Sequence, residues 1–375
     1  MFGGSPVASG VAVTPRTAMT CAPVRCAVQA IAEAIGQLPL HVYERDEDGS
    51  KERAADHPAQ RVLIDPNDWT AGPEFREQLT RDALLHGNGY AFINRVEGRP
   101  VELLRLDPES ISVTAHPVTG EPVYSRKDGN VQRIIPRSEI LHIRAPGFDG
   151  LSGTSPVQQA RETIGLALVM EQHAARLFGN GARPSGLITF ANTLTPEAAA
   201  RQKAAWQAAH GGRKSGGTAV LDSGASFQAL TMTSTDAQFL DLWNRTVLDI
   251  ARVFRVPPVL IMDYSRQTWT NAEVGGQQFV TYALARWLAA WEGEVRLKLI
   301  APEDRDTFFA EFILDALVKG DIAVRMEAYS KAIAARILCP NEARAAENRP
   351  PYEGGDTFEN PNTMTAAPAP KQEAV

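Results

Sequence analysis

A long stretch without helix-breaking residues is the feature of this chain that most limits its fold. Between Pro156 and Gly179 there is no further proline, and Gly165 is the only glycine. Ser155 before Pro156 is typical of a helix start, because serine caps free backbone N–H groups and proline suits the first turn. Gly179 and Gly181 supply a stop. We therefore predict a helix on the order of 35 Å long.

A second long helix is predicted from about 235 to 254. It carries an apolar stripe at helical spacing, formed by Phe239, Trp243, Val247, Ile250 and Phe254. The proline pair at 257 and 258 ends it. Two long helices with an inserted module between them are unusual for an enzyme.

Composition and charge exclude some classes of protein. The chain has 375 residues, and its composition is 44% hydrophobic and 22% charged. A folded protein of two or more domains is therefore expected. A net charge of −6 argues against a protein that grips DNA by neutralising phosphates. The same charge is compatible with a protein through which DNA merely passes.

The cysteines and the hydropathy pattern bear on the compartment. Cys21, Cys26 and Cys339 have neither zinc-site nor redox spacing, and an odd number of cysteines suits a reducing compartment. The N-terminus lacks the pattern of a secretory signal, and no uncharged run reaches bilayer length. We expect a soluble intracellular protein without membrane contact.

The part of the chain up to residue 150 is predicted to form one α+β domain. Residues 1–23 are rich in Gly, Ser, Pro and Thr, which predicts a mobile arm. Helices are predicted at 24–36 and 74–86. Short runs separated by Gly-containing turns from 90 to 144 predict an antiparallel sheet.

The rest of the chain divides into an insert and a mainly helical part. The insert is predicted to hold a helix at 196–210 among short strands, which we place at 186–190, 218–222 and 227–232. After the second long helix we predict helices at 271–299, 321–336 and 341–347, with a strand at 308–314. The composition from Glu353 onward predicts disorder.

No motif predicts a catalytic, cofactor or metal site. GGRKSGG at 211–217 lacks the glycine spacing of a phosphate-binding loop and is interpreted as a solvated basic loop. Ser152 and Ser155 do not lie in G-x-S-x-G, and no histidine lies in H-E-x-x-H. His86, His142 and His173 fall in separate elements and are interpreted as structural or surface residues.

Six patches of sequence lie in order along the chain, at 81–93, 139–157, 178–186, 250–261, 270–282, and 319–333 followed by 339–356. Together they resemble one family, the portal proteins of tailed double-stranded DNA bacteriophages. The resemblance is to the lambdoid-siphophage type of this family, which also occurs in prophages and gene transfer agents. Each patch alone is mostly helix ends and turns, but their common order argues against coincidence.

The resemblance implies an α+β portal fold with two long stem helices. In that fold the wing spans 24–150, the first stem helix 151–182, the clip 183–235 and the second stem helix 236–256. The tunnel loop then spans 257–272, a helical wing or crown region 273–352, and a disordered tail 353–375, with the mobile arm at 1–23.

The resemblance also implies a function. Portal proteins form a ring, usually a dodecamer, at one capsid vertex, where DNA enters during packaging and leaves during ejection. The implied partners are further copies of the chain, the major capsid protein, the terminase large subunit, a head-completion or adaptor protein, and the passing DNA. The implied location is the virion, with assembly in the host cytoplasm. A nuclease-like enzyme with an unrecognised site and a monomeric adaptor module are the alternatives.

Two sets of residues are candidates for function within this resemblance. The tunnel-loop position contains Tyr264, Ser265, Arg266, Gln267, Thr268 and Trp269. In the family such a loop projects towards the DNA, whereas the simpler interpretation is a connector with Trp269 in the core.

The clip contains the second set. Its basic residues are Arg183, Arg201, Lys203, Arg213 and Lys214. The acidic residues within it and at its border are Glu197, Asp222 and Asp236, so the local charge is +2 by five minus three. The interpretations are a solvated face or a docking surface for terminase or a head-completion protein.

Overall fold

The structure is a computed structural model with mixed α and β elements. It describes residues 7–46, 49–129, 131–179, 186–189, 193, 195–210, 226–229, 234–263, 275–314, 322–347, 349–358 and 360. The α-helices in these ranges are α1 Pro15–Ala18, α2 Ala22–Gln37, α3 Pro58–Ile64, α4 Gly72–His86, α5 Pro156–Gln159, α6 Arg161–Gly179, α7 Pro196–His210, α8 Ser234–Phe254, α9 Ala285–Lys298, α10 Ile322–Ala334 and α11 Pro340–Ala346.

The strands are short and pair antiparallel. They are β1 Leu40–Arg45, β2 Lys51–Arg53, β3 Asn88–Val96, β4 Arg99–Leu106, β5 Ile111–Ala115, β6 Pro122–Asp128, β7 Val131–Ile135, β8 Ile140–Arg144, β9 Gly186–Thr189, β10 Ser226–Ala229 and β11 Phe308–Phe312. Their orders are β11-β1-β2, β4-β3-β8, β5-β6-β7 and β10-β9. The predicted α+β class is confirmed, and the predicted sheet from 90 to 144 is two three-stranded sheets. No helix in the described ranges has the length and apolar character needed to span a membrane.

The main core forms around α2. Val24, Val28, Ile31 and Ile35 follow one another at helical spacing, and each is at most 1% exposed. This face packs against α4 and α8, so the N-terminal part of the chain and the second predicted long helix share one core.

The C-terminal part joins the same core. Strand β11 pairs with β1 in the register Leu40 opposite Phe312, and α9 packs on β8 and β11. Trp291 of α9 is fully buried, and its indole N–H donates to Thr80 Oγ1 at 3.0 Å. The residues from 275 to 312 therefore belong structurally with the N-terminal domain.

A buried arginine stabilises the carbonyl-rich ends of two helices. The guanidinium of Arg76 donates to the carbonyl oxygens of Gly36, Leu38 and Leu63 at 3.1–3.2 Å. Burial lowers the pKa of Arg76 to about 10, so the side chain stays charged at neutral pH. Since the last carbonyls of a helix have no partner within it, this cation satisfies groups that burial would leave unpaired.

The helix predicted at 271–299 contains an irregular turn. Residues 275–278 are helical, Phe279–Leu284 form a π-helical turn, and α9 follows; residues 271–274 lie outside the described ranges. Buried residues recur every fourth position, at Gly275, Phe279, Ala283, Trp287, Trp291 and Val295. In a straight α-helix such a stripe would drift by about 40° per step. The wider π-turn offsets part of that drift and keeps the stripe on the core.

The first predicted long helix is broken near its start. Ser155 caps it as expected, with its Oγ accepting from the Gln158 N–H at 3.1 Å. The helix is interrupted at Ala160, where φ is −96° and ψ is 14°. The break has a packing reason, because α5 lies on α4 whereas α6 lies on α8.

Both predicted disordered ends are partly ordered. In the arm, Thr14 and Thr17 form a capping box for α1, and Val7 is buried. The prediction that the arm is mobile is therefore wrong for residues 7–23. At the other end the Asn341 side chain donates to Asp356 Oδ1 at 2.9 Å, which ties the start of the predicted tail to α11. Residues 1–6 and 361–375 lie outside the described ranges. The short helix α3 was not predicted from the sequence.

The insert is described only in part. Its predicted helix is α7, and β9 pairs with β10 in the register Ser226 opposite Thr189. The strand predicted at 218–222 lies outside the described residues.

Candidate functional site

The start of the first long helix is locked to the first domain by a polar joint. We call it the polar joint and define it as residues 87–89, 142 and 153–155. Asn88, the first residue of β3, receives the Gly153 N–H on Oδ1 at 2.7 Å and donates from Nδ2 to the Gly153 carbonyl at 3.1 Å. One side-chain amide thus pairs with both backbone groups of a residue 65 positions away, which fixes where the helix begins.

The glycines of this joint are required for close backbone approach. The Ala145 N–H donates to the Gly87 carbonyl at 2.9 Å, so the two segments run side by side. A Cβ added to Gly87 would lie 2.5 Å from the Gly153 oxygen, and Gly87 has a φ of +89°. A Cβ on Gly153 would lie 2.7 Å from both N and O of Ala145. The glycines near Ser155 therefore allow two backbone segments to pack closely.

Ser155 joins the cap of α5 to the end of α4. Its hydroxyl donates to the Leu85 carbonyl at 2.6 Å while the same oxygen accepts from Gln158. Ser155 is 2% exposed. The residue that the sequence assigns to a helix start also satisfies a C-terminal carbonyl of another helix.

A chain of hydrogen bonds extends the joint into the small sheet β5-β6-β7. His142 Nε2 lies 2.8 Å from Asn88 Oδ1, and His142 Nδ1 lies 3.1 Å from the Tyr124 hydroxyl. The Gly153 N–H identifies Asn88 Oδ1 as the amide oxygen, which has no proton to donate, so Nε2 carries the proton and donates. In a neutral imidazole Nδ1 then accepts from the Tyr124 hydroxyl.

The electrostatics of His142 favour that neutral form. Burial lowers the pKa of His142 well below its usual range, and Arg144 and Lys298 lower it further. Burial also raises the pKa of Tyr124 to about 12, so its hydroxyl keeps its proton. Glu294 accepts the His142 backbone N–H at 3.3 Å, and burial raises the pKa of this carboxyl. The groups are held as fixed donors and acceptors, which suits mechanical positioning rather than proton transfer.

The two long helices pack directly on one another. On α6 the residues Ile164, Ala167, Leu168 and Met170 are at most 6% exposed, and α8 buries Ile250 and Ala251. The His173 and Phe239 rings approach to 5.8 Å between centroids. The N-terminal segment lies on α6 as well, since the Ala8 N–H donates to Glu162 at 3.0 Å. The predicted pairing of long helices is therefore present in the structure.

Only the first part of the candidate tunnel loop, residues 257–263, is described. After α8 the chain forms a 3-10 turn at Pro258–Ile261, and Met262 has a left-handed φ of 64°. The six candidate residues at 264–269 lie outside the described ranges. The described chain resumes at Gly275, one helical turn before the π-helical segment 279–284.

The basic residues of the clip are described only on α7. Arg201 and Lys203 are exposed there, on the same helix. Arg183, Arg213 and Lys214 lie outside the described ranges. Whether the five side chains form one surface therefore stays a prediction.

Enzymatic chemistry finds no support among the described residues. No group of three or more His, Cys, Asp and Glu side chains in these ranges is placed to hold a metal ion. Cys21 is buried, and burial raises the pKa of its thiol to about 11, which makes it a poor nucleophile. The polar residue that sequence reasoning missed is Asn88; its only signal was its place between two glycines in a patch that carried the resemblance.

The comparisons with known proteins agree with this architecture. The family model described as phage portal protein matches residues 22–348. The portal protein of Enterobacteria phage HK97 is 31% identical over 88% of this chain and 79% of its own length. The probable portal protein of Streptomyces phage phiC31 is 32% identical, covering 94% of this chain and 79% of its own. A chain from the neck of a native gene transfer agent particle, computed with C12 symmetry, has a TM-score of 0.63 at 25% identity, with 90% and 92% of the two chains covered.

This chain belongs to the phage portal protein family. It is a structural portal protein, which confirms the resemblance noted in the sequence. The nuclease-like alternative is not favoured by these matches.

Proposed function

We propose that copies of this protein form a closed ring at one vertex of a capsid, through which DNA is packaged and later released. The observation that carries the proposal is the family match over residues 22–348. The C12 symmetry of the neck that contains a similar chain supports a twelvefold ring. In this ring α6 and α8 form the stem around the channel, and the N-terminal domain with residues 275–312 forms the wing.

Surface properties of the described residues support self-association. On α8, Leu240, Leu242 and Val253 are 51%, 44% and 37% exposed although the helix packs on α2 and α6. A closed ring requires that each subunit contact two neighbours, and these exposed apolar side chains are suited to such a contact. The net charge of −6 suits passage, because strong phosphate contacts would hold the DNA in place.

The ring is tested on the purified protein. We expect size-exclusion chromatography with light scattering to give a mass many times the 40.7 kDa of one subunit, and negative-stain images with a central hole. A monomer at every salt and protein concentration would contradict the ring and favour the adaptor alternative. The nuclease alternative is tested by incubating plasmid DNA with the protein and Mg²⁺ or Mn²⁺. DNA degradation that co-purifies with the ring would support that alternative, whereas degradation that is lost on further purification would not.

The tunnel-loop residues Tyr264–Trp269 are assigned to the channel wall. The proposal is supported by the loop's position between α8 and a π-helical turn, since such turns occur often at functional sites. Arg266 supplies one transient phosphate contact per subunit, weak enough for DNA to slide.

Deletion of Ser265–Thr268 tests this assignment. A portal-null phage complemented with the deletion is expected to assemble rings but to package or retain less than a full genome. Replacing the same four residues with Gly-Ser-Gly-Ser keeps the length of the loop. This variant therefore distinguishes the effect of losing the side chains from the effect of shortening the loop. Full-length genomes at wild-type yield in both variants would make the loop a connector only.

The clip, residues 183–235, is assigned to docking of the terminase large subunit and later of a head-completion protein. Its local charge of +2 and its place between α6 and α8 support this role. The double variant Arg213→Glu and Lys214→Glu should slow terminase association at low salt while the ring stays intact. The control is Arg126→Glu with Lys127→Glu, an equal charge change on exposed residues of β6. Equal association rates for both variants and the wild type would place docking elsewhere.

The remaining assignments concern location. The ring belongs to the virion, in contact with the major capsid protein, and assembles in the host cytoplasm. Co-purification of capsid protein with the ring from infected cells is the measurement, and a ring recovered free of capsid protein at all stages would contradict it.

A further inference from the structure

The loop before α5 presents an aromatic side chain that the described residues leave almost fully exposed. Phe148 is 90% exposed. A single exposed apolar side chain is common on protein surfaces, so its significance depends on how it is held and on what could receive it. We call this loop, residues 146–150 with Phe148 at its tip, the knob.

The knob is held rigid by its own hydrogen bonds. Asp149 Oδ1 accepts the backbone N–H groups of Leu151 and Ser152, both at 2.9 Å, and Arg144 donates to the Gly150 carbonyl at 2.6 Å. These backbone hydrogen bonds lower the pKa of Asp149, so it is negatively charged at neutral pH. A rigid aromatic loses little conformational freedom on binding, which is the property of an interface anchor.

An apolar groove lies in the C-terminal part of the same chain. It is a cavity of about 400 Å³ between α10, α11 and residues 349–352, and its apolar lining includes Met326, Tyr329, Ile333 and Tyr352. Met326 and Tyr352 are 40% and 50% exposed, so the groove is open to solvent.

The walls of the groove are fixed, and its rim is basic. Arg325 of α10 donates to both carboxylate oxygens of Glu347, at 2.8 and 3.2 Å, which ties the two walls together. Arg344 and Arg349 contribute to the lining, and the Arg344 guanidinium lies 5.6 Å from the Tyr352 ring centre. The rim thus matches the negative charge of Asp149, which follows Phe148 directly.

We infer that Phe148 of one subunit inserts into this groove of the next subunit of the ring, with Asp149 facing Arg344 and Arg349. This inference rests on the proposed ring. In a closed ring each subunit presents one surface to the preceding neighbour and a different surface to the following one. A knob and a groove on one chain meet that requirement, and the exposure of Phe148 shows that it does not fill its own groove.

Cross-linking between differently labelled subunits tests the contact directly. Full-length subunits carrying Phe148→Cys are mixed with subunits carrying Ser330→Cys, an exposed position on the groove wall. After oxidation we expect covalent dimers in the mixture and none with either variant alone. Trp69→Cys replaces another strongly exposed aromatic, 72% exposed, and should give no dimer with Ser330→Cys.

A functional measurement accompanies the cross-link. Phe148→Ser should raise the subunit concentration for half-maximal ring assembly at least tenfold, Phe148→Leu should raise it less, and Trp69→Ser should leave it unchanged. The contact is overturned, but the ring is not, if the wild type forms rings while the mixture of Phe148→Cys and Ser330→Cys gives no covalent dimer. A dimer between Trp69→Cys and Ser330→Cys instead would overturn the contact in the same way. A wild type that never assembles overturns both the contact and the proposed function.

Discussion

Replacing Gly153 with alanine tests the polar joint where its two backbone segments have least room. The added Cβ would lie 2.7 Å from N and O of Ala145 and closer still to the Gly87 oxygen. These are backbone atoms, which cannot rotate away as the end of a side chain can. The two segments must therefore move apart.

The expected cost follows from the contacts that such a movement disrupts. Overpacking in a well-packed site costs about 1–3 kcal/mol. The separation also lengthens the hydrogen bond from Ala145 to Gly87, 2.9 Å, and the two Asn88–Gly153 bonds, 2.7 and 3.1 Å. Each such bond contributes roughly 0.5–1.5 kcal/mol net. We expect the free energy of unfolding to fall by roughly 2–4 kcal/mol.

The matched control is Gly293→Ala in the interior of α9. Nothing lies within 4 Å of a Cβ at Gly293, and the residue is exposed and helical. Because glycine is less favourable than alanine in a helix by about 1 kcal/mol, this change should stabilise the protein slightly. Glycine to alanine is thus expected to lower the free energy of unfolding at position 153 and to raise it at position 293.

The assay is urea unfolding, followed by tryptophan fluorescence and far-ultraviolet circular dichroism. All variants are compared at one subunit concentration under conditions where rings are dissociated, because association shifts apparent stability. An unchanged slope with denaturant shows that the comparison is valid. Gly153→Ala within about 1 kcal/mol of the wild type would refute the account of the joint.

Two further predictions concern buried charge and pH. Arg76→Met removes the partner of three carbonyls and should lower the free energy of unfolding, read from urea unfolding, by about 2–4 kcal/mol. Arg81→Met, a partly exposed position on the same helix, should have little effect on that free energy, and equal effects would contradict the role of Arg76. Burial lowers the pKa of His142, so the unfolded chain binds a proton at this residue more tightly than the folded chain does. The free energy of unfolding is therefore highest above about pH 6.5 and falls below that pH by up to about 1.4 kcal/mol per pH unit. His142→Gln keeps one donor and one acceptor, so between pH 7.5 and 5.5 the wild type should lose about 1 kcal/mol more than the variant, and parallel pH profiles would show that His142 is not the cause.

Much of the local structure follows from the sequence alone. The apolar spacing on α2 and α8, the Ser155–Pro156 start and the glycines that end helices are local signals, and the helices they predict formed close to the expected bounds. The family could also be predicted from the sequence, because its glycine-rich helix ends occur in a fixed order along the chain.

Tertiary structure alone decided how these pieces meet. The pairing of β11 with β1 joins the C-terminal part of the chain to its N-terminal part, and no pattern within either strand specifies a partner. The break at Ala160 arises because α5 packs on α4 whereas α6 packs on α8. The π-turn at 279–284 keeps one line of buried residues on the core. The role of Asn88 also depends on tertiary structure. Its sequence neighbours indicate only a turn, and folding brings Gly153 within hydrogen-bonding distance of its side chain.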